Sequence, residues 1–465
     1  MGLRKLFSAR DMTQGTPWRR IAEFAFPMLL GNFAQQLYNT ADSVIVGKYV
    51  GDDALAAVGS AMPILNLLLA IFVGVSTGAG IVISQHYGAK DRNGLSLAVG
   101  NCLTLAAIAS AAIMIIGPLI TRPFLELLGT PDSIIDWCTQ YLSIMFLGIV
   151  GFFFYNMLSG VLRGLGDSLS ALIFLLISAA LNVGLDLLFV AKFGMEVAGV
   201  AIATVIAQVI SALLCYWKLT RMKNVFDLSG KYLKLKSAMS MRIIRIGFPS
   251  GITQGIMATA GMVVQSLTNS MGEMFIACNV IVMRVDGFAM LPNLTFGQAM
   301  SVYTGQNVGA NKLDRVHQGT KQGSIMALVV STVITAILLV FGKYLFEIFT
   351  NTTELIDLAV RMMRVLAAGY ICVSVTQVLG GVMRGAGDTM TPMWISLIST
   401  IALRVPTAYV MAYFTKSPDY PNGHPISIFT SLLVSWSLGM VITLVVFSIG
   451  KWKKKMYDSA EQYRK

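Results

Sequence analysis

The sequence is poor in charge. Only 12% of its 465 residues are Asp, Glu, Lys or Arg, against about a quarter in soluble domains. Apolar residues make up 55% of the chain. So few charges could not cover the surface of a soluble protein of this length, and we therefore expect lipid to surround most of it.

Residues that carry enzyme chemistry are scarce as well. The three histidines form no zinc motif and the five cysteines contain no C-x-x-C pair. The sequence has no Walker, G-x-S-x-G or H-E-x-x-H motif. We expect no enzymatic activity, no cofactor and no metal site.

The chain has a net charge of +12. Its basic residues are distributed over alternate loops rather than clustered on one face, which argues against nucleic-acid binding.

Long apolar runs are abundant. A transmembrane helix needs about 20 mostly apolar residues. The runs predict an all-α polytopic membrane protein of about twelve helices, near residues 21–47, 53–83, 94–118, 134–160, 168–191, 197–218, 242–270, 276–304, 319–342, 358–381, 390–413 and 427–449.

The basic residues predict the orientation of these helices. With a cytoplasmic N-terminus, about 26 of the 35 Lys and Arg residues fall on the cytoplasmic side, as the positive-inside rule requires. We therefore expect a multi-pass protein of the cell (plasma or inner) membrane. Its N-terminal segment 1–20 and basic tail 450–465 would both be cytoplasmic.

The chain repeats itself. A basic linker, 219–241, separates an N-terminal lobe, 21–218, from a C-terminal lobe, 242–449, and each lobe has six predicted helices. Residues 162–168 match 383–389, sharing the pattern R-G-x-G-D, and residues 84–89 match 305–310. Repeated lobes are typical of secondary transporters. We interpret the R-G-x-G-D segments as tight turns whose Asp caps the next helix; the alternative is a role in gating.

Three predicted helices of the first lobe carry polar stripes. Lipid cannot hydrogen-bond polar side chains, so the stripes should face one another and form a polar cavity with two carboxylates. Two close, buried carboxylates do not ionise together easily, so the pair could exchange a proton, or it could hold Na⁺. The alternative is that these residues join helices by hydrogen bonds. The stripes are Gln35, Asn39 and Asp42, then Ser178, Asn182 and Asp186, then Thr204, Gln208 and Ser211.

The second lobe has charged residues away from the ends of its predicted helices, namely Arg284, Asp286 and Arg404. Asp286 could contact a cationic substrate, or it could neutralise one of the two arginines.

Further residues of both lobes are candidates for other roles. Tyr38, Gln254 and Met257 are candidate cavity residues. Pro27 and Pro249, near helix starts, are candidate hinges or first-turn residues.

Together these features resemble the multidrug and toxic compound extrusion family. The segment Gln36–Asp42, the R-G-x-G-D turns and the G-Q-N-x-G-A stretch at 305–310 carry the resemblance. It implies two six-helix lobes in a V-shape that exchange organic cations or drugs for H⁺ or Na⁺.

Within that family the chain looks most similar to the branch named for DNA-damage-inducible protein F. That resemblance implies a cation-coupling site of Asp42, Asn182, Asp186 and Thr204. Na⁺-coupled relatives usually carry Glu in helix seven, which this sequence lacks. A cation site of that kind is therefore not implied for the second lobe.

We thus expect a monomeric secondary transporter that exports small organic cations or drugs by antiport with H⁺ or Na⁺, using alternating access between its lobes. The alternative is a flippase for lipid-linked precursors. A flippase for an anionic lipid should line its cavity with several cationic residues, and away from the ends of the predicted helices we find only Arg284 and Arg404.

Overall fold

The structure is a computed structural model that describes residues 10–50, 52–127 and 130–463; within its helices, the side chains at 39, 41–48, 52–56, 60, 62, 63 and 67 lie outside the description. The described chain is helical, with one isolated bridge between Ser417 and Tyr420. Its twelve long helical segments, numbered 1 to 12 in order, are Pro17–Tyr49, Asp52–Gly88, Arg92–Leu127, Asp132–Gly164, Ser168–Lys192, Glu196–Thr220, Ser237–Asn269, Glu273–Gly309, Leu313–Glu347, Thr353–Gly385, Met390–Phe414 and Ile426–Ile449.

These segments confirm the twelve predicted helices, and most extend several residues beyond the apolar runs. In the described ranges, nine helices are long and apolar enough to cross a membrane, and the bent helix 4 makes up to ten. Helices 1 and 7, the first of each half, fall short of that apolarity. Both have an interior proline, Pro27 and Pro249 respectively.

Three helices are irregular. Helix 4 was predicted to be continuous, but it bends by 52° between Leu147 and Ile149. At the bend, the chain passes Val205 so closely that a Cβ on Gly148 would overlap its side chain. Helices 5 and 11 contain π-helical turns at Leu187–Lys192 and Leu397–Arg404. Such turns widen a helix locally and are frequent at functional sites.

The chain divides into two compact units. One comprises Met1–Asp11 and Phe26–Gly251, and the other comprises Met12–Ala25 and Ile252–Lys465. One boundary precedes helix 1, and the other two fall inside helices 1 and 7, near their prolines, rather than in the linker at 219–241.

A close crossing explains why the start of helix 7 belongs with the first unit. A Cβ on Gly74 or Gly78 of helix 2 would overlap the backbone of Gly251 or Gly247 of helix 7. Small residues four apart on both helices let their backbones approach, which favours helix association in membranes.

The two R-G-x-G-D segments form equivalent turns, as predicted. Gly166 and Gly387 have φ of +84° and +91°, a region that favours glycine. Asp167 accepts hydrogen bonds from the backbone N–H and the hydroxyl of Ser170 at 3.0 and 2.7 Å. Asp388 does the same for Thr391 at 3.3 and 2.6 Å. Each Asp therefore caps the helix that follows it.

The linker lies against helix 3 of the first unit. Buried Asn101 accepts hydrogen bonds at Oδ1 from the Lys236 backbone N–H at 2.9 Å and the Ser240 hydroxyl at 2.8 Å. Arg92 donates to both carboxylate oxygens of Asp227 at 3.1 and 2.8 Å. These hydrogen bonds lower the pKa of Asp227 below its usual value, so the contact persists at neutral and mildly acidic pH.

The C-terminal tail, predicted only as a basic segment, is a helix that packs on the second unit. It spans Lys451–Gln462. Trp452 is 1% exposed and donates to the Phe447 carbonyl at 3.0 Å. Lys455 pairs with Asp388 at 2.7 Å. The tail therefore stabilises the turn that Asp388 caps.

We predict that Asn101→Ala releases the linker. The substitution leaves the Lys236 N–H without its acceptor, at a cost of about 1–3 kcal/mol. Trypsin should then cleave faster at the linker lysines of the purified protein. Asn93→Ala is the matched control, because among the described residues the exposed Asn93 side chain accepts only a solvent-exposed hydrogen bond from the Tyr232 hydroxyl, and losing such a surface bond costs little. Wild-type cleavage rates for Asn101→Ala would contradict the prediction.

Candidate functional site

The polar stripes of helices 5 and 6 face each other in the first unit. The Ser178 hydroxyl donates to the Ala207 carbonyl at 2.9 Å. The Ser211 hydroxyl donates to the Phe174 carbonyl at 3.2 Å. These bonds link the two helices over several turns and place the residues between them in the interior.

Asp186, Asn182 and Thr204 form one buried cluster at this interface. Asp186 and Asn182 are 0% exposed. When the side-chain amide of Asn182 is oriented so that both its nitrogen and its oxygen have hydrogen-bond partners, Nδ2 donates to Oδ2 of Asp186 at 2.8 Å. Oδ1 of Asn182 then accepts from the Thr204 backbone N–H at 3.1 Å. The opposite orientation gives a 3.3 Å bond from Nδ2 to Oγ1 of Thr204.

Other polar groups extend this cluster. Gln208, one turn beyond Thr204, is 6% exposed, and its Oε1 has no hydrogen-bond partner among the described residues. The π-helical turn of helix 5 begins directly after Asp186. The carboxylate therefore lies where the regular helix ends.

Only some of the helix 1 side chains predicted for this site belong to the described residues. Gln35 and Tyr38 are half-buried on helix 1. The side chains of Asn39 and Asp42 lie outside the described residues. The predicted pairing of Asp42 with Asp186 therefore stays a prediction.

The second unit contains a cavity of about 290 Å³ between its own helices. It is lined by residues of helices 7, 8, 10, 11 and 12. Among them are two arginines, one aspartate, several methionines and a tryptophan, namely Arg384, Arg404, Asp286, Met257, Met283, Met290, Met383 and Trp436.

Asp286 has a different partner from those weighed from the sequence. It accepts a hydrogen bond from the Tyr370 hydroxyl at 2.9 Å. Arg404 lies within electrostatic range of Asp286, but among the described residues Asp286 forms no salt bridge with Arg284 or Arg404. Arg284 is exposed, because it lies two residues from Asp286 and so points to another side of helix 8.

The remaining sequence candidates are dispersed. Met257 lines the cavity of the second unit, whereas Gln254 is exposed. Pro27 and Pro249 lie inside helices 1 and 7 beside the boundaries between the units. The described residues contain no group of three or more His, Cys, Asp or Glu side chains arranged to hold a metal ion.

Arg384 and Trp436 line this cavity, and the Tyr370 hydroxyl donates to its Asp286. None of the three was identified as a site residue from the sequence. Tyr370 contacts Trp436 with ring centroids 5.9 Å apart. Arg384 was interpreted only as part of a turn. Nothing in the spacing of these residues signals their proximity, because they come together through the packing of helices distant in sequence.

The fold and these sites define a multi-pass helical membrane protein of two repeated halves. The MatE family model matches the chain twice, over residues 27–188 and 249–410. The chain therefore belongs to the MatE family, the multidrug and toxic compound extrusion transporters. The two matches also confirm the internal repeat.

Relatives and solved structures resemble nearly the whole chain. It is 30% identical over 447 residues to the probable multidrug resistance protein YpnP of Bacillus subtilis (strain 168), covering 96% of this chain and 98% of the relative. It is 28% identical over 447 residues to the probable multidrug resistance protein YoeA of the same strain, covering 94% and 95%. A structure described as the outward-facing conformation of a multidrug resistance MATE family transporter has a TM-score of 0.88 at 21% identity, covering 96% and 99%.

We predict that Tyr370→Phe destabilises the second unit. The substitution removes the hydroxyl that donates to Asp286 and should cost about 1–3 kcal/mol. The thermal unfolding midpoint of the detergent-solubilised protein should fall by several degrees. Tyr409→Phe is the control, because it removes an exposed hydroxyl bond of 3.2 Å to the Val263 carbonyl. Equal midpoints for the two variants would show that the bond to Asp286 contributes nothing.

Proposed function

We propose that this chain is a secondary antiporter of the cell membrane that exports organic cations or drugs in exchange for H⁺. The observation that carries the proposal is the buried contact between Asp186 and Asn182 in the first unit. The family membership and the names of YpnP and YoeA support multidrug export as the substrate class.

A carboxylate inside a membrane helix costs about 2.5–3.5 kcal/mol on insertion scales. Hydrogen bonding alone would not require that charge, because Asn or Gln would serve as well. A group that gains and loses a proton during each cycle does require it. Asp186 meets this description, with one carboxylate oxygen held by Asn182 at 2.8 Å.

The amide orientation that gives partners to both ends of Asn182 supports H⁺ as the coupling ion. In that orientation, Nδ2 points to the Asp186 carboxylate, and Oδ1 is engaged by the Thr204 N–H. Na⁺ binds oxygen atoms, so Asn182 would have to turn its amide to join Asp186 as a ligand. Protonation of Asp186 needs no such rotation.

The distribution of basic residues supports an orientation with both termini in the cytoplasm. In that orientation, the linker, the R-G-x-G-D turns and the C-terminal helix all lie on the cytoplasmic side. A proton taken up outside and released inside would then drive export, as alternating access between repeated lobes allows.

Transport by the purified protein in liposomes tests this function. A pH gradient alone should drive a fluorescent organic cation across the membrane. The cation should move toward the acidic side while protons move the other way. Asp186→Asn and Asp42→Asn should reduce the rate to that of protein-free liposomes, because neither variant can exchange a proton at its site.

Asp136→Asn provides the matched control. Asp136 is a carboxylate of the same unit, 79% exposed, and it pairs with Arg122. This variant should transport at the wild-type rate. Movement driven only by a Na⁺ gradient would overturn H⁺ coupling. If neither gradient moves the cation and Asp186→Asn behaves like wild type, cation antiport is wrong and lipid flipping is the activity to test.

A further inference from the structure

The cavity of the second unit is lined by more positive than negative charge. Arg384 and Arg404 face one carboxylate, Asp286, whose Oδ1 is occupied by the Tyr370 hydroxyl. In the described part of the chain, neither arginine forms an ion pair. Nε of Arg404 is buried and has no hydrogen-bond partner there. The cavity therefore holds unused cationic donors.

The internal repeat shows how Arg384 comes to lack a partner. The matching arginine of the first unit, Arg163, donates from Nη1 to the Ser159 hydroxyl at 2.5 Å. The residue that matches Ser159 in the second half is Gly380. Nη1 of Arg384 lies 3.3 Å from the position that a Cβ on Gly380 would occupy. The arginine at this repeat position is therefore hydrogen-bonded to its own helix in the first half, and it is available to the cavity in the second half.

Arginine inside a membrane protein is costly and usually pairs with another group. Its planar guanidinium carries five donors, which match the oxygens of a carboxylate, phosphate or sulfonate. The methionines and Trp436 of the same cavity provide an adaptable apolar and aromatic surface. Anionic and apolar parts of one molecule would therefore both find partners here.

We infer that this cavity is a binding site for amphipathic organic anions, with Arg404 binding the anionic group and Arg384 assisting it. The bound molecule is a free aromatic acid or an anionic lipid, since both combine an acidic head with an apolar body. The π-helical turn that ends at Arg404 places this residue at an irregular point of helix 11, and such turns are frequent at functional sites.

The site is independent of the proposed cation antiport. Its residues all belong to the second unit, whereas Asp186 belongs to the first. Binding is measured at equilibrium, without any ion gradient. Failure of the transport experiment therefore leaves this inference standing, and failure of the binding experiment leaves the antiport standing.

The test is fluorescence anisotropy with two dyes that share a xanthene skeleton but differ in charge, anionic fluorescein and cationic rhodamine 6G. The full chain is placed in nanodiscs of phosphatidylcholine. Fluorescein should bind, and Arg404→Gln should weaken its binding about tenfold or more, the effect of losing a charge-assisted hydrogen bond. Rhodamine 6G should bind Arg404→Gln no more weakly than it binds wild type.

Arg284→Gln is the matched control, because Arg284 is an exposed arginine of the same unit and should leave fluorescein binding unchanged. Gly380→Ser is a second, independent variant. The added hydroxyl gives Arg384 the partner that Arg163 has, so fluorescein binding should weaken, though less than in Arg404→Gln. If Arg404→Gln elutes as aggregate in size exclusion, the result for Gly380→Ser decides the inference.

Competition identifies the source of the anion. Displacement of fluorescein by phosphatidylglycerol in the nanodisc assigns the site to anionic lipid. Displacement by free naphthoate but not by phosphatidylglycerol assigns it to soluble aromatic acids. Equal fluorescein affinity for wild type, Arg404→Gln and Gly380→Ser would overturn the inference.

Discussion

The structure depends on one constraint, the lack of water in the core of the bilayer. A polar group inside the membrane must find its partner within the protein. Ser178 and Ser211 therefore bond carbonyls of the neighbouring helix, and Asn182 contacts both Asp186 and Thr204. The same need makes the exceptions informative. A buried donor that no described residue engages, such as Nε of Arg404, marks the place where, by our inference, a bound molecule completes the pairing.

The two halves keep a common plan but differ in chemistry. Both place a glycine with positive φ and a capping Asp in the R-G-x-G-D turn, and both contain a π-helical turn in the fifth helix of the half. The first half has a buried acidic cluster, whereas the second has a cavity with two arginines. A single difference, Ser159 against Gly380, decides whether the arginine of the turn is tied to its own helix. Duplication followed by such substitutions allows one chain to hold two sites of opposite charge.

Helices 1 and 7 occupy equivalent and unusual positions. Each begins its half, contains a proline, and falls short of the apolarity of the other helices. Each also contributes its first part to one compact unit and the rest to the other. Proline removes a backbone hydrogen bond and its ring interferes with the preceding turn, so these helices need support from their neighbours. For helix 7 that support comes from the glycine crossing with helix 2, where small residues allow the backbones to approach.

The sequence by itself determined the number of helices, the repeat and the interior faces of helices 5 and 6, because apolar length and polar periodicity are local properties of the chain. It also indicated the capping turns, which depend on residues three positions apart. The tertiary structure alone decided the bend in helix 4. Gly369, which matches Gly148 in the repeat, lies in a continuous helix although Trp436 approaches it about as closely as Val205 approaches Gly148, so neither the glycine nor one close neighbour bends the chain by itself. The partner of Asp286, the docking of the linker on Asn101 and the availability of Arg384 depend equally on residues far apart in sequence, and only packing brings those residues together.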